Sequence, residues 1–422
     1  MDFFIVMASK TEQISIQKYY SIMKLNRILL AAAIAVPAVA QAQAQQPQTP
    51  ELEFTIVKEN PITSVKNQNS SGTCWCFSAI SFLESEAIRI NNIKDKNLYP
   101  DFSEMFVVSH SYQDRADKYI RLDGNLTFGA GSECEDVIHI MRDYGLVPNS
   151  VMTGLNYGTT LPVHGEVDAA ALAYVQAIQK NPNRSLSTAW KNGFKGIMDA
   201  YFGECPEEFE YNGKKYTPAS YRDSYKLNPD DYVTLTSFTH HPFYTQFAIE
   251  VCDNWRSDMA YNVPIDEFWD AIYYAIEHGY TTTWGGDVSE TGFTRTGSAL
   301  LLDTSAPAAA GSDQERWVGS DRNQGAAARP AGAPKEKVVT QESRQKDFDN
   351  KATTDDHGMH AFGIAKDQYG NKYLMIKNSW GETGKYNGIW YMSEAFTRGK
   401  AIDFMVHKDG LPKALKDKLG IK

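Results

Sequence analysis

One segment, QNSSGTCWCFSA from Gln68 to Ala79, sets a cysteine after a Gly-Thr pair, at the start of an apolar stretch and six residues beyond a glutamine. A cysteine in the first turn of a helix sits at the positive end of the helix dipole, which favours thiolate over thiol. The glutamine amide supplies an N–H donor for a developing oxyanion. Such a nucleophile needs an imidazole to hold it as thiolate and later give up the proton, and a third group to orient the ring. DDHGMHAFGIAKDQYGNKYLMIKNSWGE provides His357, His360, Asn378 and Trp380 roughly 280 residues further on. Asn378 would fix the tautomer of His357, and the Trp380 indole would shield that bond from water. His360 lies three residues on, so in a strand it faces away from His357. The HxxH spacing likewise splits the two rings on a strand, whereas a zinc pair on a helix wants HxxxH. No metal and no cofactor are therefore expected.

These side chains need a helix on one side and strands on the other. Residues 74–93 carry Phe77, Ile80, Leu83, Ala87 and Ile88 at helical spacing. Further helices are expected at 133–144, 166–180, 187–202 and 264–278, and strands in DDYVTLTSF and YTQFAIEV. GMHAFGIAKD, NKYLMIKNSW and GIWYMS read as strands separated by Gly and Asn turns. Between them, residues 303–345 are rich in Ala, Gly, Pro and charge, and read as a linker or surface excursion.

At 422 residues and 42% hydrophobic, the chain can bury a large core. A net charge of −10 argues against sequence-independent nucleic-acid binding, which needs clustered Lys and Arg. LLAAAIAVPAVA, Leu29 to Ala40, follows Lys24 and Arg27 and is too short to span a bilayer, so it reads as a secretory signal with Met23 as initiator. Residues 1–22 would be untranslated, 23–44 the signal and 45–60 a leader, which gives an exported, periplasmic or secreted protein with no membrane anchor. Five cysteines form an odd set, so at least one thiol stays free. Cys76 reads as core packing, Cys134, Cys205 and Cys252 as buried thiols, and His240 with His241 as a surface or oligomer contact.

ITSVKNQNSSGTCWCFS resembles the mature start of the papain-like cysteine peptidases, close to VTPVKNQGSCGSCWAFS, without a gap. DHGMHAFGI resembles their DHAVAAVGY, and KNSWG recurs at Lys377 to Gly381. The resemblance implies Cys74 as nucleophile, Gln68 and the Cys74 backbone N–H as oxyanion donors, His357 as base, Asn378 as orienter and Trp380 as shield. Ser71 stands where the family has a structural cysteine, so that disulfide is missing. The gap from Cys74 to His357 far exceeds the roughly 130–150 residues of papain and cathepsins, and only a short leader precedes the motif. Together these departures resemble the bleomycin hydrolase and aminopeptidase C branch.

GAGSECEDVIHIMRDYGLVP resembles that branch's substrate-cleft segment, with Gly131 and Ser132 on its paired glycines. The branch implies hexameric barrels whose C-terminal arm lies in the cleft and anchors the substrate's amino group, which would bring Lys422 to the substrate. The expected fold is α+β and papain-like, with a helical left domain at 61–150 and a β-barrel-like right domain at 347–410. A mainly helical insertion is expected at 151–300, a flexible excursion at 301–346 and the arm at 411–422. The implied activity is broad-specificity aminopeptidase cleavage of peptides by a Cys-His-Asn mechanism in a homo-hexamer. An endopeptidase of the same fold, a zinc hydrolase and a catalytically inert peptide-binding protein are the alternatives.

Overall fold

A computed structural model describes residues 51–182, 185–303 and 334–422. The expectations for 1–22, 23–44 and the start of 45–60, and for most of 301–346, fall outside the described residues. Strand β1 (Phe54–Glu59) leads through a loop into α1 (Cys74–Ile90). Helices α2 (Glu104–Arg121), α3 (Glu135–Asp143), α4 (Gly165–Gln179) and α5 (Ala189–Phe202) follow. A hairpin of β2 (Phe209–Tyr211) and β3 (Lys214–Tyr216) then leads to α6 (Pro218–Ser224).

From here the chain turns to strands, with β4 (Tyr232–Thr236), β5 (Gln246–Ala248), β6 (Met259–Asn262), α7 (Ile265–Glu277), β7 (Thr282–Gly286) and β8 (Ser298–Ala299). The last third holds α8 (Gln341–Asp349), β9 (His357–Asp367), β10 (Lys372–Lys377), β11 (Ile389–Ser393), α9 (Glu394–Lys400), β12 (Ala401–His407) and α10 (Lys413–Leu419). One large sheet runs β5-β6-β4-β12-β7-β9-β10-β11-β8, with β1 paired to the far end of β9. Among the described residues, no helix is long and apolar enough to cross a membrane.

Two cores meet at α1. On one side Phe77 and Phe82 pack with Phe102, Phe106, Val137 and Phe194 of the helical half. On the other, Trp269, Ile272, Trp284, Met359, Ile364 and Phe404 fill the space between the sheet and α7. Helix α1 lies between β9 and β7 on one flank and α2 and α3 on the other, so every residue from Trp75 to Ile88 is buried. That is wider than the single apolar face its sequence suggests. Each fully buried Phe or Leu contributes about 1.5–3 kcal/mol, so α1 is held by the bulk of the first core, to which its side chains belong. Strand β9 is covered on both faces by α1 and α7, which accounts for its nearly unbroken apolar run.

Several expectations need correction. The stretch 151–300 is mainly helical only as far as α6; beyond it, β4 to β8 are strands of the main sheet. Of these, β4 and β5 lie in DDYVTLTSF and YTQFAIEV, read as strands above, whereas β6 to β8 are short and owe their form to pairing that local periodicity does not register. The described end of the supposed flexible excursion is folded: Leu302 bridges to Glu336, and α8 is started by a Thr340–Ser343 capping box. Arg344 on that helix is buried and donates to the carbonyls of Ser237, Arg398 and Ile402.

Candidate active site

Cys74 is the first residue of α1 and Thr73 its N-cap. The preceding loop is fixed by side chains. The Ser71 hydroxyl donates to the Gln68 carbonyl at 2.8 Å and lies 2.7 Å from the Thr73 hydroxyl. Ser71 thus holds by hydrogen bonds a turn for which the resemblance would supply a disulfide, and among the described residues no cysteine forms one. Gln68, 4% exposed, donates from Nε2 to the Ser71 carbonyl at 2.7 Å. An amide NH2 carries two hydrogens, so the other remains to face a ligand.

His357 opens β9 and Asn378 follows β10. The ring Nε2 lies 2.8 Å from Asn378 Oδ1. An amide oxygen only accepts, so Nε2 carries the hydrogen and Nδ1 holds the lone pair. Trp380 stacks on the imidazole at 4.8 Å between ring centroids and 27° between planes, and both are nearly sealed from solvent.

Gly358, the next residue after His357, explains how close α1 comes to this strand. A Cβ there would lie 3.2 Å from Trp75 Cα and 3.5 Å from the Cys74 carbonyl carbon. The first turn of α1 therefore rests on the residue beside His357. The loops that carry Gln68 and Asn378 are also laced together. Gln68 N–H donates to the Ser379 carbonyl at 2.8 Å, Gly381 N–H to the Lys66 carbonyl at 3.0 Å, and the Ser379 hydroxyl to Gln68 Oε1 at 2.5 Å. Ser379, which holds the Gln68 amide, was passed over by sequence reasoning although it sits inside KNSWG.

Gly131 and Ser132 lie in a segment clamped from behind. Arg115, 2% exposed, donates to the carbonyls of Thr127, Gly129 and Gly131. The Trp255 indole donates to Ser132 Oγ at 2.7 Å and to Asp136 at 2.8 Å. A Cβ on Gly131 would collide with Asp253, so this segment is shaped by residues 253–256 of the long insertion.

The other candidates go elsewhere. His360 is fully buried on the far face of β9, with Nδ1 2.8 Å from Ser81 Oγ. Burial, with Lys377 nearby, holds its pKa well below the usual histidine value. His240 and His241 both reach Glu250 at the surface, at 2.9 and 3.0 Å. With Glu250 they could hold an ion, as could Glu133, Glu135 and Asp403; neither group includes a histidine of the HGMH segment. Cys76 and Cys134 are buried, Cys205 is half-buried and Cys252 is exposed. The last corrects the expectation of a buried thiol, because Cys252 lies in the turn that follows β5 and not in a packed element.

The tail differs most from expectation. Residues 413–419 form α10, and Leu411, Leu415 and Leu419 are buried in the core that includes α7. Lys418 reaches Glu267 at the start of α7 at 2.7 Å, and Ile421 packs on the same core. None of these contacts involves Gln68, Cys74, Gly131, Ser132, His357 or Asn378. The described tail is thus a helix docked on α7 rather than an extended arm beside Cys74, and the placement of Lys422 at the substrate finds no contact to support it.

Known proteins resemble the chain in the same terms. The family described as Papain family cysteine protease matches residues 51–115. Aminopeptidase G of Lactobacillus delbrueckii subsp. lactis is 23% identical over 91% of this chain and 90% of its own length. Aminopeptidase E of Lactobacillus helveticus is 23% identical over 87% and 86%, and aminopeptidase C of Listeria monocytogenes 20% identical over 92% and 90%. The crystal structure of PepW from Lactobacillus rhamnosis HN001 superposes with a TM-score of 0.61 at 18% identity, over 87% of this chain and 84% of that one. The fold is accordingly papain-like.

Proposed function

We propose that this chain, a papain-like cysteine peptidase of the bleomycin hydrolase and aminopeptidase C branch, hydrolyses peptides as a thiol-dependent aminopeptidase. The observation that carries the reading is the His357–Asn378 bond of 2.8 Å under the Trp380 ring, set on the strand against which the first turn of α1 packs. The aminopeptidase relatives, alike over nearly their whole length, supply the reaction class.

In this reading the Cys74 thiolate attacks the scissile carbonyl carbon, forming the C–S bond as the carbonyl π electrons move to oxygen. The oxyanion is met by the Gln68 amide and the Cys74 backbone N–H. The imidazolium of His357 gives its Nδ1 proton to the leaving amine as the C–N bond breaks, leaving an acyl thioester. Water then attacks the thioester, the same nitrogen takes its proton, and the C–S bond breaks to release the acid and return the Cys74 thiolate. The Asn378 amide keeps Nε2–H in place throughout, so Nδ1 is the nitrogen that works. A mutation there would act through the ring's orientation. Export by residues 23–44 and a hexameric assembly belong to the proposal as well, the first on the basic, apolar and small-residue order of that segment, the second on the branch resemblance alone.

Cys74→Ala removes the nucleophile and leaves the packing of α1 intact. Turnover of aminoacyl amides should fall to background while the thermal transition stays within a few degrees of the parent. Activity near the parent level in the folded variant would refute the thiol mechanism.

A further inference from the structure

A second group of side chains converges beside the first turn of α1, and the mechanism above uses none of it. Glu133 follows Ser132 directly, Glu135 opens α3, Asp355 lies two residues before His357, and Asp403 comes from β12. Carboxylate oxygens of Glu133, Glu135 and Asp403 all lie within 4.8 Å of one another. Glu133 is only 9% exposed and its carboxyl is hydrogen-bonded to that of Asp355, while no donor from the rest of the fold reaches its Oε1 or Oε2 of Glu135. Thr234 satisfies the other oxygen of Glu135. Burial pushes all four carboxyls up, and their mutual repulsion adds to it: Glu135 and Asp355 to about 7, Glu133 and Asp403 well above the usual range. Arg344 is the cation that acts on Asp403, and its guanidinium is already engaged by three backbone carbonyls.

The sheet ties this cluster to the reaction centre. Asp403 pairs across the ladder with Gly285, and Gly285 with Gly358. Directly opposed residues project to one face, so a row without side chains leads from the Asp403 carboxylate to the glycine on which Cys74 and Trp75 rest. A Cβ on Gly285 would lie 2.6 Å from Asp403 Oδ1. From the helical side, Cys134, between the two glutamates, brings its thiol 3.7 Å from the Trp75 carbonyl. The carboxylates thus flank the nucleophile's helix turn and the Gly131–Ser132 segment together.

The geometry points to a cation subsite: Glu133, Glu135, Asp355 and Asp403 form a carboxylate pocket that receives an organic cation of the peptide substrate, its α-ammonium or a lysine or arginine side chain. This deepens the peptidase reading and rests on it. A buried carboxylate oxygen without a donor is costly to leave unmatched, and an ammonium with three donors satisfies several at once. With α10 docked on α7, the pocket would supply the amino-terminal selection that the tail does not.

The test compares the parent with Glu133→Gln, and with Asp403→Asn should the first not fold. Leucine aminomethylcoumarin and its N-acetyl form probe the α-ammonium; N-acetyl-arginyl-leucine and N-acetyl-norleucyl-leucine aminomethylcoumarins probe the side chain. In the parent, the cationic member of at least one pair should be preferred about tenfold or more in kcat/KM. In the variant that preference should fall about tenfold, mostly through KM, as expected for losing one charge-assisted contact. Equal losses on cationic and neutral substrates, or preferences that the variants leave alone, would overturn the proposal.

A second readout needs no turnover: protection of Cys74 from iodoacetamide by leucinamide and argininamide against their N-acetylated forms. Selective protection that disappears in Glu133→Gln, in a protein that cleaves none of the four substrates, would sink the aminopeptidase reading and keep the pocket. Calcium or magnesium binding that depends on Glu133, with activity abolished by a chelator, would replace the substrate cation with a metal and overturn the inference.

Discussion

Two buried polar clusters flank α1, and they differ in how their charge is balanced. Along the middle of the helix, Lys66 reaches Glu84 at 3.3 Å, Glu104 at 2.7 Å and Asp101 at 2.7 Å. Lys377 donates to Thr63 at 3.0 Å and Ser81 at 2.8 Å, and Thr63 in turn bonds Glu84. Burial opposes charge on Lys66, but its carboxylate neighbours outweigh it and hold the ammonium well above its ordinary pKa. At the start of the helix, Glu133, Glu135, Asp355 and Asp403 have burial and repulsion acting in the same direction. One cluster is complete within the fold; the other has carboxyls held toward their protonated forms and no matching cation beyond the occupied Arg344. A closed network locks a helix in place, whereas an open one at the same depth is the arrangement a charged ligand can finish.

The comparison breaks most visibly at Lys66. Replacing it with Met leaves Glu84, which is fully buried, and Glu104 without their shared cation. Removing one partner of a buried ion pair costs about 3–5 kcal/mol, and the low end applies because a fifth of the Lys66 side chain is exposed. Urea unfolding should show the midpoint falling by the equivalent of about 3 kcal/mol. A change under about 0.5 kcal/mol, the range of ordinary surface substitutions, would show that the network is not what holds α1.

The open cluster should respond in the opposite sense. Glu135 and Asp355 titrate near pH 7 in the folded chain, above the ordinary 4.5 and 3.8. Between those values the native state binds more protons than the unfolded one, so unfolding free energy declines as pH rises. Glu133→Gln removes one carboxyl whose ionisation burial and its neighbours oppose. It should therefore stabilise the protein at pH 7.5 by about 1 kcal/mol, less than one pKa unit's worth, and make the decline between pH 5 and 7.5 shallower. Paired urea titrations at the two pH values measure both. A variant less stable than the parent at pH 7.5 would mean that Glu133 is a satisfied structural group.

What could be read from the sequence follows the same division. Cys74, Gln68, His357, Asn378 and Trp380 sit in contiguous motifs, and the structure brings Asn378 and Trp380 onto His357. The helices expected at 133–144, 166–180, 187–202 and 264–278 end within about two residues of the observed ones, the usual latitude of helix boundaries. The strand at 246–248 lies inside the expected YTQFAIEV, whereas those at 259–262 and 298–299 are shorter than the periodicity window and exist through pairing with other strands. The carboxylate cluster draws on the residues before β9, on β12, on α3 and on the segment before α3, so no spacing announces it; the one local hint is the acid beside Ser132 and the Asp pair before His357. The helical tail was also hidden, since Leu411, Leu415 and Leu419 read equally well as a free amphipathic end.

The smallest effect tests how a histidine on each face of β9 is used. Lys377 can only donate, so the Ser81 oxygen accepts from it and the Ser81 hydroxyl hydrogen points to Nδ1 of His360. His360 is thereby an acceptor in a structural chain, with its other nitrogen carrying the proton. His357 has the reverse arrangement, its Nε2–H held by Asn378, which in the proposed mechanism makes Nδ1 the working nitrogen. Ser81→Ala should cost about 1 kcal/mol, a typical buried hydrogen bond, because Lys377 keeps Thr63. It should leave kcat and its pH profile as in the parent, since β9 separates the two rings. A shifted pH profile in Ser81→Ala would show that the closed network reaches through the strand to His357, and the contrast between a locking cluster and a ligand-accepting one would have to be redrawn.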